Sequence, residues 1–219
     1  MLLWINGPFG GGKTQTAYEI RRRLPGSVVC DPEHAGFGLR RMLPPELRGA
    51  GGRKPLIEDF QDLVSWRQGV VEVLDLALTR HDGVVIAPMT VTDPAYFAET
   101  VGRLRELGHD VRHFTLLAER ETVLRRLRER GLGRLLAYAT GKNPGPRRES
   151  WAVEQLDHCL ERLREPEFAE HLWTDRTTVP RTADRIAVLA GLTLRPNDEG
   201  ALRTRLRQAG VGLRHIRLD

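Results

Sequence analysis

The stretch LLWINGPFGGGKT, residues 2–14, decides the fold. Its first five residues, Leu2–Asn6, are apolar enough to predict a buried strand, and a helical pattern then runs from Lys13 to Leu24, where Pro25-Gly26 ends it. The residues between strand and helix satisfy the pattern G-x-x-x-x-G-K-[ST] in the setting that this pattern requires. They are Gly7, Pro8, Phe9, Gly10, Gly11, Gly12, Lys13 and Thr14. The alternative, a glycine-rich turn with an incidental lysine, is disfavoured by that setting.

The composition of this loop suits it to binding phosphate groups. Glycines let the backbone curl so that successive N–H groups point at phosphate oxygens, and the start of the helix adds partial positive charge. Lys13 would bridge the β- and γ-phosphates, and the Thr14 hydroxyl would bind Mg²⁺. We therefore expect ATP and Mg²⁺ as cofactors, with Gln15 completing the binding loop.

Apolar runs and helical segments alternate along the rest of the chain, which is typical of helices packed around a parallel sheet. Further strands are predicted at 27–31, 83–89, 111–118 and 171–174. Helices are predicted at 32–42, 58–80, from Pro94, at 119–130, 149–164 and 182–190. The fold class is therefore α/β, in three α/β/α layers with a five-stranded, mostly parallel sheet. We expect a single domain over 1–219 with an arginine-rich lid at about 131–148 and a C-terminal amphipathic segment at about 198–219.

Composition narrows the function classes. The chain has 219 residues, 40% hydrophobic and 29% charged, and lacks an apolar run near the roughly 20 residues that span a bilayer. Two cysteines argue against a disulfide framework and a zinc site, and the start does not resemble a signal peptide, so we expect a cytoplasmic protein. The net charge of +5 leaves nucleic acid, anionic membrane and phosphate-bearing substrates open as partners.

The acceptor of a phosphoryl group would meet Asp31, which ends the predicted second strand. A carboxylate at the carboxyl edge of a parallel sheet could take the proton of an attacking hydroxyl. The alternative is that Asp31 only caps the next helix. Arg126 and Arg130 lie four residues apart on one helix face beside the lid, where one could stack on adenine and the other neutralise the transferring phosphate, although charge runs are more often solvated faces.

Further candidates for substrate binding follow the second and third strands and start the long helix. They are Phe37, Arg40, Gln61, Trp66, Arg67, Met89 and Thr90. Trp66 and Phe37 fit the hydrophobic core at least as well as a binding site. No acidic residue directly ends the third strand, so Asp93 or water must support Mg²⁺ beside Thr14.

Phosphate binding alone does not separate a motor ATPase, a GTPase and a small-molecule kinase. The chain length and the arginine-rich lid favour an enzyme like the nucleoside-monophosphate kinases, and the Asn-Lys-x-Asp signature of GTPases is not in the sequence.

The segments WINGPFGGGKTQTAYEI, VVCDPEHAGFGLRRM, VVIAPMTVTDPAYF, RHFTLLAERETVLRRLRER, SWAVEQLDHCLERL and LRHIRLD together resemble the TmrB-type tunicamycin-resistance P-loop proteins, a branch of the small-molecule kinases. The resemblance implies that Asp31 is the catalytic base, that Arg126 and Arg130 are lid-helix arginines and that Lys13 and Arg130 act in catalysis. It also implies a hydroxyl of a uridine-type nucleoside antibiotic as the phosphate acceptor, and hence resistance or self-protection.

Two rival functions stay open at this stage. A non-catalytic protein could close around ATP and the antibiotic and sequester the drug. A nucleic-acid-binding or nucleic-acid kinase module would use the arginine excess, but the basic residues are interleaved with acids, so no nucleic acid partner is expected.

The family's C-terminal segment has been linked to weak peripheral contact with the inner face of the membrane. The alternative is that this segment is a plain helix that packs on the protein. The sequence does not fix the oligomeric state.

Overall fold

The computed structural model describes residues 1–48, 57–139 and 155–200, together with residues 207, 210 and 211; for 48 and 130–139 it describes the backbone. The predicted lid beyond residue 139 and most of the C-terminal segment lie outside these residues. No helix among the described residues is long and apolar enough to cross a membrane.

Five strands form one sheet in the order β2–β3–β1–β4–β5. The strands are β1 Leu2–Asn6, β2 Val28–Val29, β3 Val85–Pro88, β4 Val111–Leu117 and β5 His171–Trp173. The helices are α1 Lys13–Arg23, α2 Glu33–Met42, α3 Val64–Arg80, α4 Pro94–Phe97, α5 Arg103–Glu106, α6 Arg120–Ala139, α7 Leu156–Arg162 and α8 Val179–Leu189. A π-helical turn, Ala98–Gly102, joins α4 and α5. The predicted α/β class with five strands is confirmed.

The chain divides into two compact units. The first comprises Met1–Trp4 and Gly26–Arg112, and the second comprises Ile5–Pro25 and His113–Asp219. The expectation of a single domain therefore stays a prediction.

In the first unit, β2 pairs in parallel with β3 through Val28 opposite Val85 and Val29 opposite Ile86. Strand β2 is shorter than the predicted 27–31 at both ends, and its carboxyl end comes early because the Asp31 carboxylate accepts the Glu33 N–H at 3.0 Å and turns the chain into α2. A hydrogen bond from Cys30 N to the Ile86 carbonyl, at 2.9 Å, continues the pairing one residue past the strand.

Helix α3 begins at Val64, six residues after its predicted start at 58. The Asp59 side chain accepts the N–H of Gln61 and starts a separate 3₁₀ turn, Phe60–Asp62, before an extended Leu63. Aspartate favours such local turns because its carboxylate competes with the helix for backbone N–H groups.

In the second unit, β4 pairs in parallel with β5 through Thr115 opposite His171 and Leu117 opposite Trp173. Helix α6 was predicted to end at Arg130, but it continues to Ala139, so the first nine residues of the predicted lid are helical. Each glycine in GLGRLLAYA costs a helix about 1 kcal/mol, but the leucine, arginine and alanine residues around them favour the helix.

Candidate functional site

The predicted phosphate-binding loop connects β1 to α1, as the sequence indicates. Three of its glycines have positive φ: Gly7 at 147°, Gly10 at 77° and Gly12 at 94°. Gly12 is the N-cap of α1, and no side chain of the described residues caps that helix. The first backbone N–H groups of α1 therefore face the loop, where they can bind an anion.

Lys13 folds back into this loop. Its buried ammonium group donates to the carbonyl oxygens of Gly7 and Pro8, both at 3.0 Å, and lies 5.6 Å from the centre of the Phe9 ring. The positive charge is therefore held among the backbone groups that would surround a phosphate. A phosphate entering the loop would meet a lysine that is already in place.

Helix α6 packs directly against the loop. A Cβ atom built on Gly10 would lie 3.1 Å from Leu127 Cγ and 3.3 Å from Val123 Cγ1. Leu127 and Val123 belong to a buried apolar cluster that also contains Ala118, Leu156 and Leu160. The shape of the loop thus depends on a helix more than 100 residues further along the chain.

The residues that could hold Mg²⁺ are few. Thr14 is half-buried at the start of α1, where the family pattern places the metal-binding hydroxyl. Asp93 caps α4 by accepting the N–H of Ala95 at 2.7 Å, so the capping role is the one that the structure shows for it. No cluster of three or more acidic, histidine or cysteine residues suited to a metal occurs in the described parts of the chain. In kinases Mg²⁺ is typically held by substrate phosphates, water and one or two side chains, so the Thr14 hydroxyl fits such a site.

Arg126 is anchored at the carboxyl end of β5. Its guanidinium donates to the Thr174 hydroxyl at 3.0 Å and to the Thr174 carbonyl at 2.7 Å. Burial lowers the pKa of Arg126, the charge of Arg125 acts in the same direction, and the carboxylate of Asp175 opposes them. Arg126 is therefore a fixed part of this edge. The Arg130 side chain lies outside the described residues.

Asp31 is half-buried just after β2. Its carboxylate accepts the N–H of Glu33, the first residue of α2, whose N-cap is Pro32. Burial raises the pKa of the neighbouring Cys30 thiol, and the charge of Asp31 raises it further. The catalytic role of Asp31 stays a prediction.

The two aromatic candidates lie in the core of the first unit. Trp66 is fully buried and its indole N–H donates to the Pro32 carbonyl at 3.1 Å. Phe37 meets the Phe60 ring edge-on at a centroid distance of 5.9 Å, and Trp66 meets it at a tilt at 5.4 Å. None of the Trp66 surface is exposed and Phe37 is nearly as buried, so both side chains serve the core here, and their contact with a substrate stays a prediction.

Arg67 and Gln61 form a polar network beside these aromatic residues. Arg67 donates to the Glu99 carboxylate at 2.6 Å and lies 4.3 Å from the centre of the Tyr96 ring. The Gln61 amide donates to Asp59 at 3.2 Å. Burial raises the pKa of Asp59, hydrogen bonds from Gln61 lower it, and the charge of Asp62 raises it. The network thus engages the Arg67 guanidinium and the Gln61 amide N–H within the protein.

The remaining candidates differ in exposure. Met89 and Thr90 are buried at the carboxyl end of β3. Arg40 is half-buried and donates to the carbonyl oxygens of Ile57 and Glu58. Asp31 and Arg40 are thus the only two of the eight predicted substrate residues with appreciable exposure.

Two residues of the second unit were not predicted. Thr174 holds Arg126, and Glu19 is a fully buried carboxylate on α1. Thr174 follows the apolar run of β5 directly, and this position at the carboxyl end of a strand could have identified it. Glu19 carries no such signal: Arg22 and Arg23 follow it at the three- and four-residue spacing that is common on solvated helix faces, and its third partner, Arg207, lies far along the chain.

Comparison with known proteins shows which class of protein shares this fold and this phosphate-binding loop. Residues 2–137 match the family described as AAA domain. A gluconokinase from Sinorhizobium meliloti has the same fold, with 17% identity, 86% of this chain and 93% of that chain covered, and a TM-score of 0.53. A shikimate kinase from Bacteroides thetaiotaomicron also has the fold, with 18% identity, 88% and 99% coverage and a TM-score of 0.53. The fold and the loop therefore define a P-loop protein with the fold of the ATP-dependent small-molecule kinases.

A more similar structure identifies the family. The tunicamycin resistance protein of Deinococcus radiodurans is 32% identical, with 90% of this chain and 99% of that chain covered and a TM-score of 0.66. The chain thus belongs to the AAA domain family and to the family of this tunicamycin resistance protein. The resemblance stated from the sequence is confirmed. The search of curated proteins gave no match.

Proposed function

We propose that the protein is an ATP- and Mg²⁺-dependent phosphotransferase that phosphorylates a hydroxyl of a uridine-type nucleoside antibiotic such as tunicamycin. The observation that carries this proposal is the phosphate-binding loop between β1 and α1 with the Lys13 ammonium group folded into it. The name of the Deinococcus radiodurans relative supports the antibiotic as the substrate class. The role in the cell would be resistance or self-protection.

On this proposal the second unit holds the nucleotide. The N–H groups of the loop and of the first turn of α1 bind the phosphates, and Lys13 exchanges a carbonyl partner for a phosphate oxygen. The Thr14 hydroxyl is a ligand of Mg²⁺. Bound ATP and Mg²⁺ supply an electrophilic γ-phosphoryl group. Arg126 lies at the end of β5, where its charge attracts the nucleotide, and Arg130 acts from the next turn of α6.

Asp31 is proposed as the base. Its carboxylate takes the proton of the antibiotic hydroxyl as the oxygen–phosphorus bond forms and the bond from the γ-phosphorus to the bridging oxygen breaks, so that ADP leaves. Its position after β2 supports this role, because active groups in parallel sheets gather at the carboxyl ends of strands. Arg40, the other partly exposed candidate, is assigned to substrate binding.

The cytoplasm is the proposed location. Cys30 and Cys159 are both free thiols, which suits a reducing compartment.

Mass spectrometry tests the proposal. Purified protein is incubated with ATP, Mg²⁺ and tunicamycin, and we expect the antibiotic to gain the mass of one phosphate in parallel with ADP release. Lys13→Ala should abolish the gain. Stoichiometric binding of tunicamycin with no mass change would contradict phosphotransfer and would indicate sequestration of the drug.

Asp31→Asn gives a sharper variant. The asparagine oxygen can still accept the Glu33 N–H, so α2 keeps its start, but the side chain no longer takes a proton. We expect kcat to fall about 10²- to 10⁴-fold. The matched control is Asp82→Asn, which removes an exposed carboxylate before β3, at the opposite end of the strands, and should leave kcat unchanged.

A further inference from the structure

A buried carboxylate in α1 is held by three arginines. Glu19 is fully buried, and its oxygens lie 2.7 Å from Arg22, 3.8 Å from Arg23 and 2.5 Å from Arg207. Arg22 and Arg23 belong to the same helix, whereas Arg207 comes from near the end of the chain. A buried carboxylate without partners is strongly unfavourable, so these arginines are needed where they are.

The C-terminal segment reaches Glu19 along the end of α1. The backbone N–H of Arg195 donates to the Arg23 carbonyl at 2.8 Å, and the Arg23 guanidinium Nε donates to the Arg195 carbonyl at 2.7 Å. Arg22 donates to Asn197 at 2.6 Å. We call Arg195, Asn197, Glu199 and Arg207 the C-terminal strap.

The arginines of this cluster share their acidic partners. Arg207 pairs with Glu199 at 2.9 Å as well as with Glu19. Arg23 pairs with Asp184 of α8 at 2.5 Å. Burial works to lower the pKa of Arg22, but the hydrogen bond and charge of Glu19 raise it above its ordinary value. The strap is therefore fastened to α1 by charge pairs that are largely shielded from solvent.

The same helix carries the phosphate-binding residues. Lys13 and Thr14 form its first turn, and Glu19 lies six residues after Lys13, which is about 9 Å along the axis. A helix transmits displacement along its axis because its backbone hydrogen bonds are continuous. A contact that fixes the second half of α1 therefore also fixes the N–H groups at its start.

We propose that Glu19 is a positioning residue, which uses the C-terminal strap to hold α1 in the orientation that binds nucleotide. This inference rests on the proposed function for its nucleotide part only. It also gives the strap a role inside the protein in place of the membrane contact implied by the family resemblance. The reason is that the Arg207 guanidinium is already paired with the carboxylates of Glu19 and Glu199.

A double-mutant cycle on the full chain tests the ion pair. Glu19→Gln and Arg207→Gln are each expected to lower Tm by roughly 3–12 °C. The double variant should lose less than the sum of the two, because each single change already breaks the shared pair. Arg185→Gln, at an exposed arginine of α8, is the control and should leave Tm unchanged. Strictly additive losses would overturn the pairing.

Nucleotide binding separates positioning from stability. At a temperature well below every Tm, we expect the Kd of an ATP analogue to rise at least about fivefold in Glu19→Gln and in Arg207→Gln, with kcat at saturating ATP unchanged. A loss of Tm with unchanged Kd would overturn the positioning role. Failure of the unaltered protein to bind the ATP analogue would contradict the proposed function, whereas the Tm cycle would still decide whether the ion pair holds the strap.

Vesicles test the alternative use of Arg207. Cosedimentation with phosphatidylglycerol vesicles at 0.15 M salt should leave the unaltered protein in the supernatant. Binding to the vesicles that is weakened by Arg207→Gln, with no change in Tm, would overturn the proposal.

Discussion

Replacing Gly10 by alanine tests the contact between the phosphate-binding loop and α6. Gly10 has φ of 77°, and a left-handed conformation costs an L-residue about 1–2 kcal/mol. The added methyl would lie 3.1 Å from Leu127 Cγ, and overpacking of this kind costs about 1–3 kcal/mol. We expect the free energy of unfolding to fall by about 2–5 kcal/mol, which lowers Tm by about 4–20 °C in a domain of this size.

Two further glycines separate the two contributions. Gly12→Ala shares the left-handed backbone, at φ of 94°, but its methyl meets no atom within 4 Å, so it should cost only about 1–2 kcal/mol. Gly69→Ala lies in open space inside α3 and should stabilise the protein by about 0.5–1 kcal/mol. The measurement is urea unfolding followed by circular dichroism, without nucleotide. The reasoning is refuted if Gly10→Ala costs no more than Gly12→Ala, or if Leu127→Ala does not reduce the cost of Gly10→Ala.

The remaining predictions concern titration and hydrogen bonds. Burial raises the pKa of the Cys159 thiol to about 12, although the charge of Lys13 opposes the shift. The protonated thiol therefore contributes stability that is complete below pH 9.0, the ordinary pKa of a thiol, and that is lost as the pH rises to about 12. Cys159→Ala should flatten that part of the pH–stability profile in urea titrations, and an unchanged slope would contradict the assignment. Arg126→Met removes both donors to Thr174 and should lower Tm by roughly 3–12 °C by calorimetry, whereas an unchanged Tm would show the anchor to be dispensable. Trp66→Phe leaves the Pro32 carbonyl without its donor and should cost about 1–3 kcal/mol in urea unfolding, whereas a cost near zero would mean that water replaces the indole.

The beginning of the fold follows from sequence almost residue by residue. Strand β1 was predicted and found at Leu2–Asn6, and α1 differs from its predicted end by one residue. The reason is that a glycine-rich phosphate loop needs one strand before it and one helix after it. Here local sequence and global fold require the same conformation.

The errors arise where a short polar side chain redirects the backbone. Asp31 shortens β2 and Asp59 delays α3, in each case by accepting an N–H two residues later. Hydrophobic periodicity does not register such a bond, because the surrounding residues keep their apolar spacing. The prediction for α6 has the opposite error: it ended the helix nine residues too early, because two glycines were given more weight than the helix-forming residues around them.

Long-range partners account for what the site analysis did not predict. Arg126 was expected near the nucleotide, but the bond that holds it comes from Thr174, 48 residues away. Glu19 is paired with Arg207, and strands β2 to β5 all lie between these two residues in the sequence. Pairings at such separations depend on which elements pack together, and a single sequence does not specify them.

The central claim is that the phosphate-binding loop and the Asp31 carboxylate act on one substrate hydroxyl. A crystal structure with a non-hydrolysable ATP analogue, Mg²⁺ and tunicamycin tests it most directly. We predict one antibiotic hydroxyl within about 2.6–3.2 Å of an Asp31 oxygen and about 3–3.5 Å from the γ-phosphorus. An antibiotic bound with every hydroxyl out of reach of both groups would contradict the phosphotransferase account.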